Sequence, residues 1–576
     1  MNEERVTYFA ETDARNKKIA FGIKAKDRTK HVYVIGKTGM GKSTLLENMA
    51  VQDIKNGEGM AFIDPHGKTA DLLLEYIPEE RIGDVVYFAP FDMDYPISFN
   101  VLESVDADKR HLVVSGLMST FKKIWQDAWS ARMEYILTNT LLALLEYPDA
   151  TLLGVNRMLS DKEYRKKVIS HVTDPSVRSF WVDEFANYTE RMAAEAVPAI
   201  QNKIGQFTAN ALIRNMIGQA KSSFDIRKLM DERKILIVNL SKGRIGETNA
   251  NLLGGMLITK IYLAALSRAD VPDRVLKGLP NFYLFVDEFQ SFANESFADI
   301  LSEARKYKLN LTMAHQYIEQ MEEEVRAAVF GNVGTMIVFR VGSYDAEVLE
   351  KEFAPEFTAE DIVNLGFAQI YLKLMIDGIS SHPFSATTLP PIPQQDNSNV
   401  NKVIEMSRKQ FASNREQIEK DIADWHAPIA PAHKPRPTEM KHEFRPEQRP
   451  EQKPEHRVEH RSEQRPESKV EQKVEHKQEH HIEHKVEHKQ VPLAHLGHHG
   501  HGHSHNNIKE ATPEKVSELR NALASVLGKS TERRDTERPK EEKKEEKVGI
   551  EVPKVENRGE MKEVSGDILK EVLKTD

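Results

Sequence analysis

Between about residues 20 and 390 the chain alternates two hydrophobic rhythms. Short β-branched runs come first: HVYVI, MAFID, DVVYF, ILIVNL, FYLFVDE, LNLTMA, TMIVFR and QIYLKLM. Several are almost continuously apolar, as strands are when helices cover both sheet faces. Between them lie longer stretches with apolar residues at helical spacing, such as STLLENMAVQDIKN after the first run. The alternation predicts an α/β fold with a largely parallel sheet flanked by helices on both faces. From Val101 to about Arg227 no convincing strand appears, and segments such as TFKKIWQDAWSARMEYILTNTLLALLEY keep helical spacing throughout. The pattern therefore predicts an all-helical insertion, 101–227, between two parts of one core, 21–100 and 228–392, with an N-terminal arm over 1–20.

After Pro390 the rhythm fades. PPIPQQDNSN is a linker signal, and NKVIEMSRKQFASNREQIEKDIADWH predicts a linker helix within 393–426 that can pack on the core. From 427 to 576 the chain is charged, His-rich and of low complexity. A four-residue unit repeats from Pro446 to Lys489, as in PEQR, VEHR and VEHK. In a helix that period stacks like charges four residues apart, so with its prolines it predicts an extended, disordered tail rather than a long helix. HLGHHGHGHSHNN reads as a solvated linker, because flexible glycine spacing fixes no metal geometry. Near 512–528, TPEKVSELRNALASVLG has Thr512 to cap, Pro513 to start and Gly528 to stop a short amphipathic helix, and 564–575 holds a second candidate. Such helices in a tail suit docking to a protein partner.

Composition narrows the chemistry. The absence of cysteine excludes disulfides, thiolate metal sites and cysteine nucleophiles. The first residues lack the apolar core of a signal peptide, and no run of about 18 apolar residues exists. NLLGGMLITKIYLAAL, broken by Lys260, reads as a buried helix. The expectation is a protein without an intrinsic membrane span, cytoplasmic or held at a membrane through partners. A net charge of -9 argues against a surface basic all over, but not against a local basic channel.

One stretch carries the strongest chemistry. Gly36, Lys37, Thr38, Gly39, Met40, Gly41, Lys42, Ser43 and Thr44 fit the G-x-x-x-x-G-K-[ST] phosphate loop, between a strand and a helix pattern. The glycines let backbone N–H groups face phosphate oxygens, Lys42 suits the β- and γ-phosphates, and Ser43 suits Mg²⁺. A second strand, FYLFVDEF, ends in Asp287 and Glu288. Asp287 is positioned to hold the metal through water, and Glu288 to orient or deprotonate the attacking water. No Asn-Lys-x-Asp reader of GTPases and no Leu-Ser-Gly-Gly-Gln signature of ABC transporters is present. ATP and Mg²⁺ are thus the expected ligands of a motor-like ATPase.

GKTGMGKST, IDPHG at 63–67, FVDEFQ and the HQ after a buried strand together resemble the HerA–FtsK branch of P-loop ATPases, which have a RecA-like core. Within it they are most similar to the coupling proteins of conjugation and type IV secretion, with a TraG/TraD-like motor domain. The helical insertion and NVGTMIVFRVGSYDAEVLEKEF fit the same likeness, which covers roughly residues 15–390. The resemblance implies a γ-phosphate sensor at Gln316 and an arginine, Arg305, that reaches a neighbouring subunit's nucleotide. Arg340 is the competing arginine. Asp64 and His66 fall at the edge of the site, or form a strand-ending Asx turn. The family further implies a homo-hexameric ring that pumps DNA, bound without sequence preference. The alternative is an ATPase energising protein export or assembly, with the tail recruiting cargo. Coupling proteins usually begin with membrane-spanning helices, and this sequence shows none.

Overall fold

A computed structural model describes residues 3–427 except 14–16, 104 and 395–397. The tail expected over 427–576, with its repeat, His-rich tract and two short helices, lies outside the described residues apart from Ala427.

All eight runs form strands, and they lie in one sheet. β1 (Val6–Glu11) and β2 (Ala20–Lys24) precede β3 (Val32–Ile35), β4 (Gly59–Asp64) and β5 (Val85–Phe88). After the insertion come β6 (Ile235–Asn239), β7 (Phe282–Val286), β8 (Leu309–His315), β9 (Thr335–Val338) and β10 (Gln369–Lys373). A small hairpin, β11 (Met375–Ile376) with β12 (Ile379–Ser380), leads to β13 (Phe384–Thr388). The 11-stranded sheet has the order β2-β1-β13-β10-β9-β3-β8-β7-β4-β6-β5. From β9 to β5 every pairing is parallel; β10, β13, β1 and β2 add on antiparallel. The segment expected as an N-terminal arm therefore contributes a strand to the sheet.

The apolar runs follow from two covered faces. Tyr33 and Ile35 of β3 join one hydrophobic cluster, while Val32 and Val34 join the cluster on the opposite face. β4 splits the same way, with Ala61 and Ile63 on one side and Met60 and Phe62 on the other. Side chains alternate along a strand, so burial on both sides removes any polar alternation. Helices α1 (Lys42–Lys55) and α2 (Lys68–Leu74) cover the second face. The first face is covered by the insertion, starting with α3 (Arg110–Ile124), and by α4 (Glu247–Leu266).

The described residues between Val101 and Arg227 hold helices and turns and no strand. Its helix starts use capping side chains: Ser130, Asp161, Asp174, Thr189 and Asn210 each accept bonds from the first-turn amides. α3 lies close against α4, since a Cβ added to Gly116 would meet Thr259 at 2.4 Å and one added to Gly255 would meet Thr120 at 2.7 Å. The stretch Glu247–Asp270 is the described helical segment long and apolar enough to cross a membrane, and most of it is buried here as a core helix.

The C-terminal linker stretch is two helices, α5 (Val400–Phe411) and α6 (Arg415–His426). Asn414 separates them because its side chain accepts from the Glu416 and Gln417 amides and starts a new helix. α5 docks on β5, where the Ser407 hydroxyl accepts from the Tyr87 amide at 2.9 Å. Elsewhere in the core, Arg28 is buried in a two-pronged pair with Asp53 of α1, at 2.7 and 2.9 Å, with its guanidinium 3.8 Å from the Tyr283 ring centre.

Candidate active site

Parallel strands present their carboxyl ends along one edge, where α/β sheets gather ligands. β3, β8 and β7 are neighbours there. β3 feeds the loop Gly36 to Gly41, and Gly41 is the residue before α1. Gly39 and Gly41 have φ of 79° and 117°, in the left-handed region that suits glycine. The wall behind them is Phe339: a Cβ on Gly36 would lie 2.5 Å from its Cβ, and one on Gly41 would lie 3.3 Å from its ring. The loop is tied to both flanking strands, with the Gly36 amide donating to the His315 carbonyl at 3.2 Å and the Lys37 amide to the Arg340 carbonyl at 2.8 Å. The ladder of α1 begins with the Leu45 amide on Gly41 at 3.0 Å, so the amides of Lys42, Ser43 and Thr44 precede it, as at any helix start. Amides and helix dipole together make an anion cradle.

Lys42 is buried, and its Nζ donates to the carbonyls of Gly36 at 2.6 Å and Lys37 at 3.3 Å. Burial pulls its pKa below the usual lysine value, opposed by the charges of Glu288 and Asp287. The Ser43 hydroxyl donates to Asp287 Oδ2 at 3.1 Å, which brings the two expected metal-site oxygens together. Asp287 is 3% exposed, and burial, followed by the nearby Glu288 and Asp64, pushes its pKa up to about 6. Its other oxygen accepts from the Glu288 amide at 2.9 Å. Glu288 turns the chain at φ 48°, the left-handed region, where the strand gives way to the next loop.

A line of side-chain contacts then crosses the site. The Thr38 hydroxyl donates to Gln316 Oε1 at 3.0 Å, and Gln316 Nε2 donates to Glu288 Oε1. Gln290 Nε2 donates to the other Glu288 oxygen at 2.5 Å. The phosphate loop, the acid of the second strand and the glutamine of the third are thus linked. Beneath them His315 holds the Tyr33 hydroxyl at 3.0 Å through Nδ1; burial, with Lys42 and Lys123 nearby, lowers its pKa to about 3, so its ring is neutral. A cavity of 520 Å³ adjoins Glu288 and Gln316, with His66, Lys123, Lys242 and Gln290 among its lining residues.

The arginines part company. Arg340 lies two residues past the end of β9, beside the loop that its own carbonyl holds. Arg305 is exposed on a turn before β8, at the opposite end of that strand from Gln316. At about 3.3 Å per residue a strand of this length keeps it roughly 20 Å or more from its own cradle. Asp64 spends both oxygens on the backbone: Oδ1 accepts from the His66 amide at 2.7 Å and Oδ2 from the Ala70 amide at 2.9 Å. It shapes the turn into α2, whose N-cap is Gly67, and satisfies one first-turn amide of that helix. His66 faces the cavity. Two neighbours of Glu288 escaped the sequence reading. Gln290 was within sight, two residues along FVDEFQ; Lys123 lies in the insertion, and no local signal joins it to the site.

The family described as "Type IV secretory system Conjugative DNA transfer" matches residues 4–337. Among solved structures, the bacterial conjugative coupling protein TrwBdeltaN70 in its unbound monoclinic form is similar at a TM-score of 0.50 and 14% identity, over 69% of this chain and 96% of that one. Its trigonal form in complex with sulphate gives 0.50 and 14%, over 69% and 97%. VirB4 of Thermoanaerobacter pseudethanolicus gives 0.43 and 12%, over 67% and 96%. No curated protein matches. At these identities the coupling-protein structures establish the fold, that of a P-loop NTPase.

Proposed function

Because the chain belongs to the conjugative DNA transfer family of type IV secretory systems, we propose that it is an ATP-driven ring motor that translocates DNA. The observation that carries this reading is the line from Thr38 through Gln316 to Glu288, beside the Ser43–Asp287 pair. Such an arrangement joins a phosphate cradle to a carboxylate able to act on water, which a mere nucleotide-binding scaffold does not need.

Each residue has a distinct part. The amides from Thr38 to Thr44 and the Lys42 ammonium receive the phosphates. Ser43 and Asp287 suit Mg²⁺, a hard ion that takes a few protein oxygens plus water and phosphate. When bound, the ion neutralises phosphate charge. Glu288 accepts a proton from, or aligns, the attacking water, and Gln316 reports the γ-phosphate to it. Arg305 is too far to serve its own subunit, which favours service to a neighbour's site and ties hydrolysis to a closed ring, a hexamer by family pattern. DNA would pass through the ring, gripped by its phosphates without sequence preference. The tail would recruit the partner that brings the motor to a secretion complex at the membrane.

The test is ATP turnover by the full chain, varied with protein concentration and DNA length at low salt. Turnover should rise steeply with protein concentration, increase with DNA, and lose the DNA increment as salt is raised. Equal turnover with and without DNA at high protein concentration and low salt would overturn the DNA-pump reading.

A further inference from the structure

The loop that carries Glu288 is held from outside the core. Lys123, in the last turn of α3, donates through Nζ to the Gln290 carbonyl at 2.7 Å and to the Ala293 carbonyl. One turn earlier, Thr120 Oγ1 accepts from Asn294 Nδ2 at 3.3 Å. The same loop also meets α4, where a Cβ on Gly254 would lie 2.2 Å from the Phe292 ring. The loop that follows Glu288 is therefore packed on both the first helix of the insertion and a core helix, where the two meet.

The contact partners of Lys123 point to a specific task. A lysine near a surface usually keeps its ammonium in water or opposite a carboxylate. Here the ammonium is spent on two carbonyls of one short loop, and burial lowers its pKa to about 8, opposed by the charge of Glu322. Gln290, whose backbone is pinned in this way, uses its side chain to hold Glu288 Oε2 at 2.5 Å. Contact runs without a break from insertion to ammonium, to the loop backbone, to the amide, to the carboxylate.

We propose that Lys123 is a positioning residue through which the helical insertion sets the orientation of Glu288. A shift of α3 moves the Gln290 and Ala293 carbonyls with it, so the aim of the carboxylate follows the position of the insertion. The inference rests on the proposed role of Glu288 in hydrolysis. By linkage, whatever displaces the insertion alters the loop, and whatever orders the loop steadies the insertion.

The experiment uses the full chain with Lys123→Met, which keeps the stem but not the donors, Lys123→Arg, which keeps donors, and Gln290→Leu, which cuts the link beyond the lysine. Lys123→Met should lower kcat by about tenfold and leave KM for ATP within about twofold, as expected when a bond that aims a reacting group is lost. Lys123→Arg should recover most of the loss. Gln290→Leu should lose a similar factor, and the double variant should lose no more than either single one, because both cut one chain of contacts. Hydrogen exchange in residues 288–294 should quicken in Lys123→Met and not in Lys123→Arg. An unchanged kcat in Lys123→Met, equal losses in Lys123→Met and Lys123→Arg, or multiplying losses in the double variant would overturn the inference. Should the wild type fail to hydrolyse ATP, the function proposed above falls. The pin is then judged on exchange alone, and unchanged exchange in Lys123→Met removes it.

Discussion

Asp287 is a residue whose cost to the fold and whose service to the site should separate in one substitution. Its carboxyl is buried at the end of β7, and its pKa is raised from 3.8 to about 6, chiefly by burial and then by Glu288 and Asp64. At about 1.36 kcal/mol per pKa unit this corresponds to roughly 3 kcal/mol against the folded state once the group is ionised. The sign follows from proton binding. The folded protein holds the proton more tightly than the unfolded chain, so the penalty is absent below about pH 4, grows as pH rises, and is complete above about pH 6. Asn fits the same place, because its oxygen can accept from the Glu288 amide and its amide can donate to the Ser43 hydroxyl, which turns to receive it. Asp287→Asn should therefore raise the unfolding free energy of the nucleotide-free protein at pH 7.5, read from urea unfolding, by up to about 3 kcal/mol, and the gain should shrink as pH falls toward 4. Mg·ATP should reverse the order, stabilising the wild type and not the variant. The assay is urea unfolding of both proteins at pH 7.5 and 4.5, with and without Mg·ATP. A variant no more stable than wild type at pH 7.5, or a gain that ignores pH, would refute the reasoning.

Two further substitutions probe the frame around the site. Asp53→Ala leaves the Arg28 guanidinium buried without its partner and should cost about 3–5 kcal/mol in urea unfolding, whereas replacing both by apolar residues should cost much less. Gly41→Ala puts a Cβ at φ 117° and 3.3 Å from the Phe339 ring; the free loop shifts to relieve strain of about 1–3 kcal/mol, so the unfolding midpoint moves little, and restoring the cradle's shape on binding should weaken Mg·ATP affinity by about tenfold or more, measured by titration.

The parallel half of the sheet was legible because both of its faces are covered. Val32 to Ile35 are all fully buried, so the run carries no polar interruption and stands out from its surroundings. The antiparallel additions hid themselves. VTYFAE in β1 alternates buried with partly exposed positions, and AFGIK in β2 contains Gly22, which packs where a Cβ would lie 1.9 Å from the Thr7 carbonyl oxygen. Short edge strands of this kind depend on their neighbours for definition, and the neighbour here, β13, comes near the end of the core. The loop, Asp287 and Glu288 were readable because each ends a strand with a recognisable local signature, whereas Gln316 came only through the family resemblance. Asp64 could be read two ways, and its two backbone partners favour the turn. Lys123 was not readable at all, since its meaning arises only when α3 is laid against a loop 167 positions further along.

The claim beneath all of this is that the amides ahead of α1 and the Lys42 ammonium grip a triphosphate. Equilibrium binding of Mg·ATP to the wild type and to Lys42→Ala, each confirmed folded, addresses it without requiring turnover. Wild type should bind and Lys42→Ala should lose at least about tenfold in affinity, the scale of a charged contact to phosphate. Equal affinity in the two proteins, or no binding by the wild type, would contradict it.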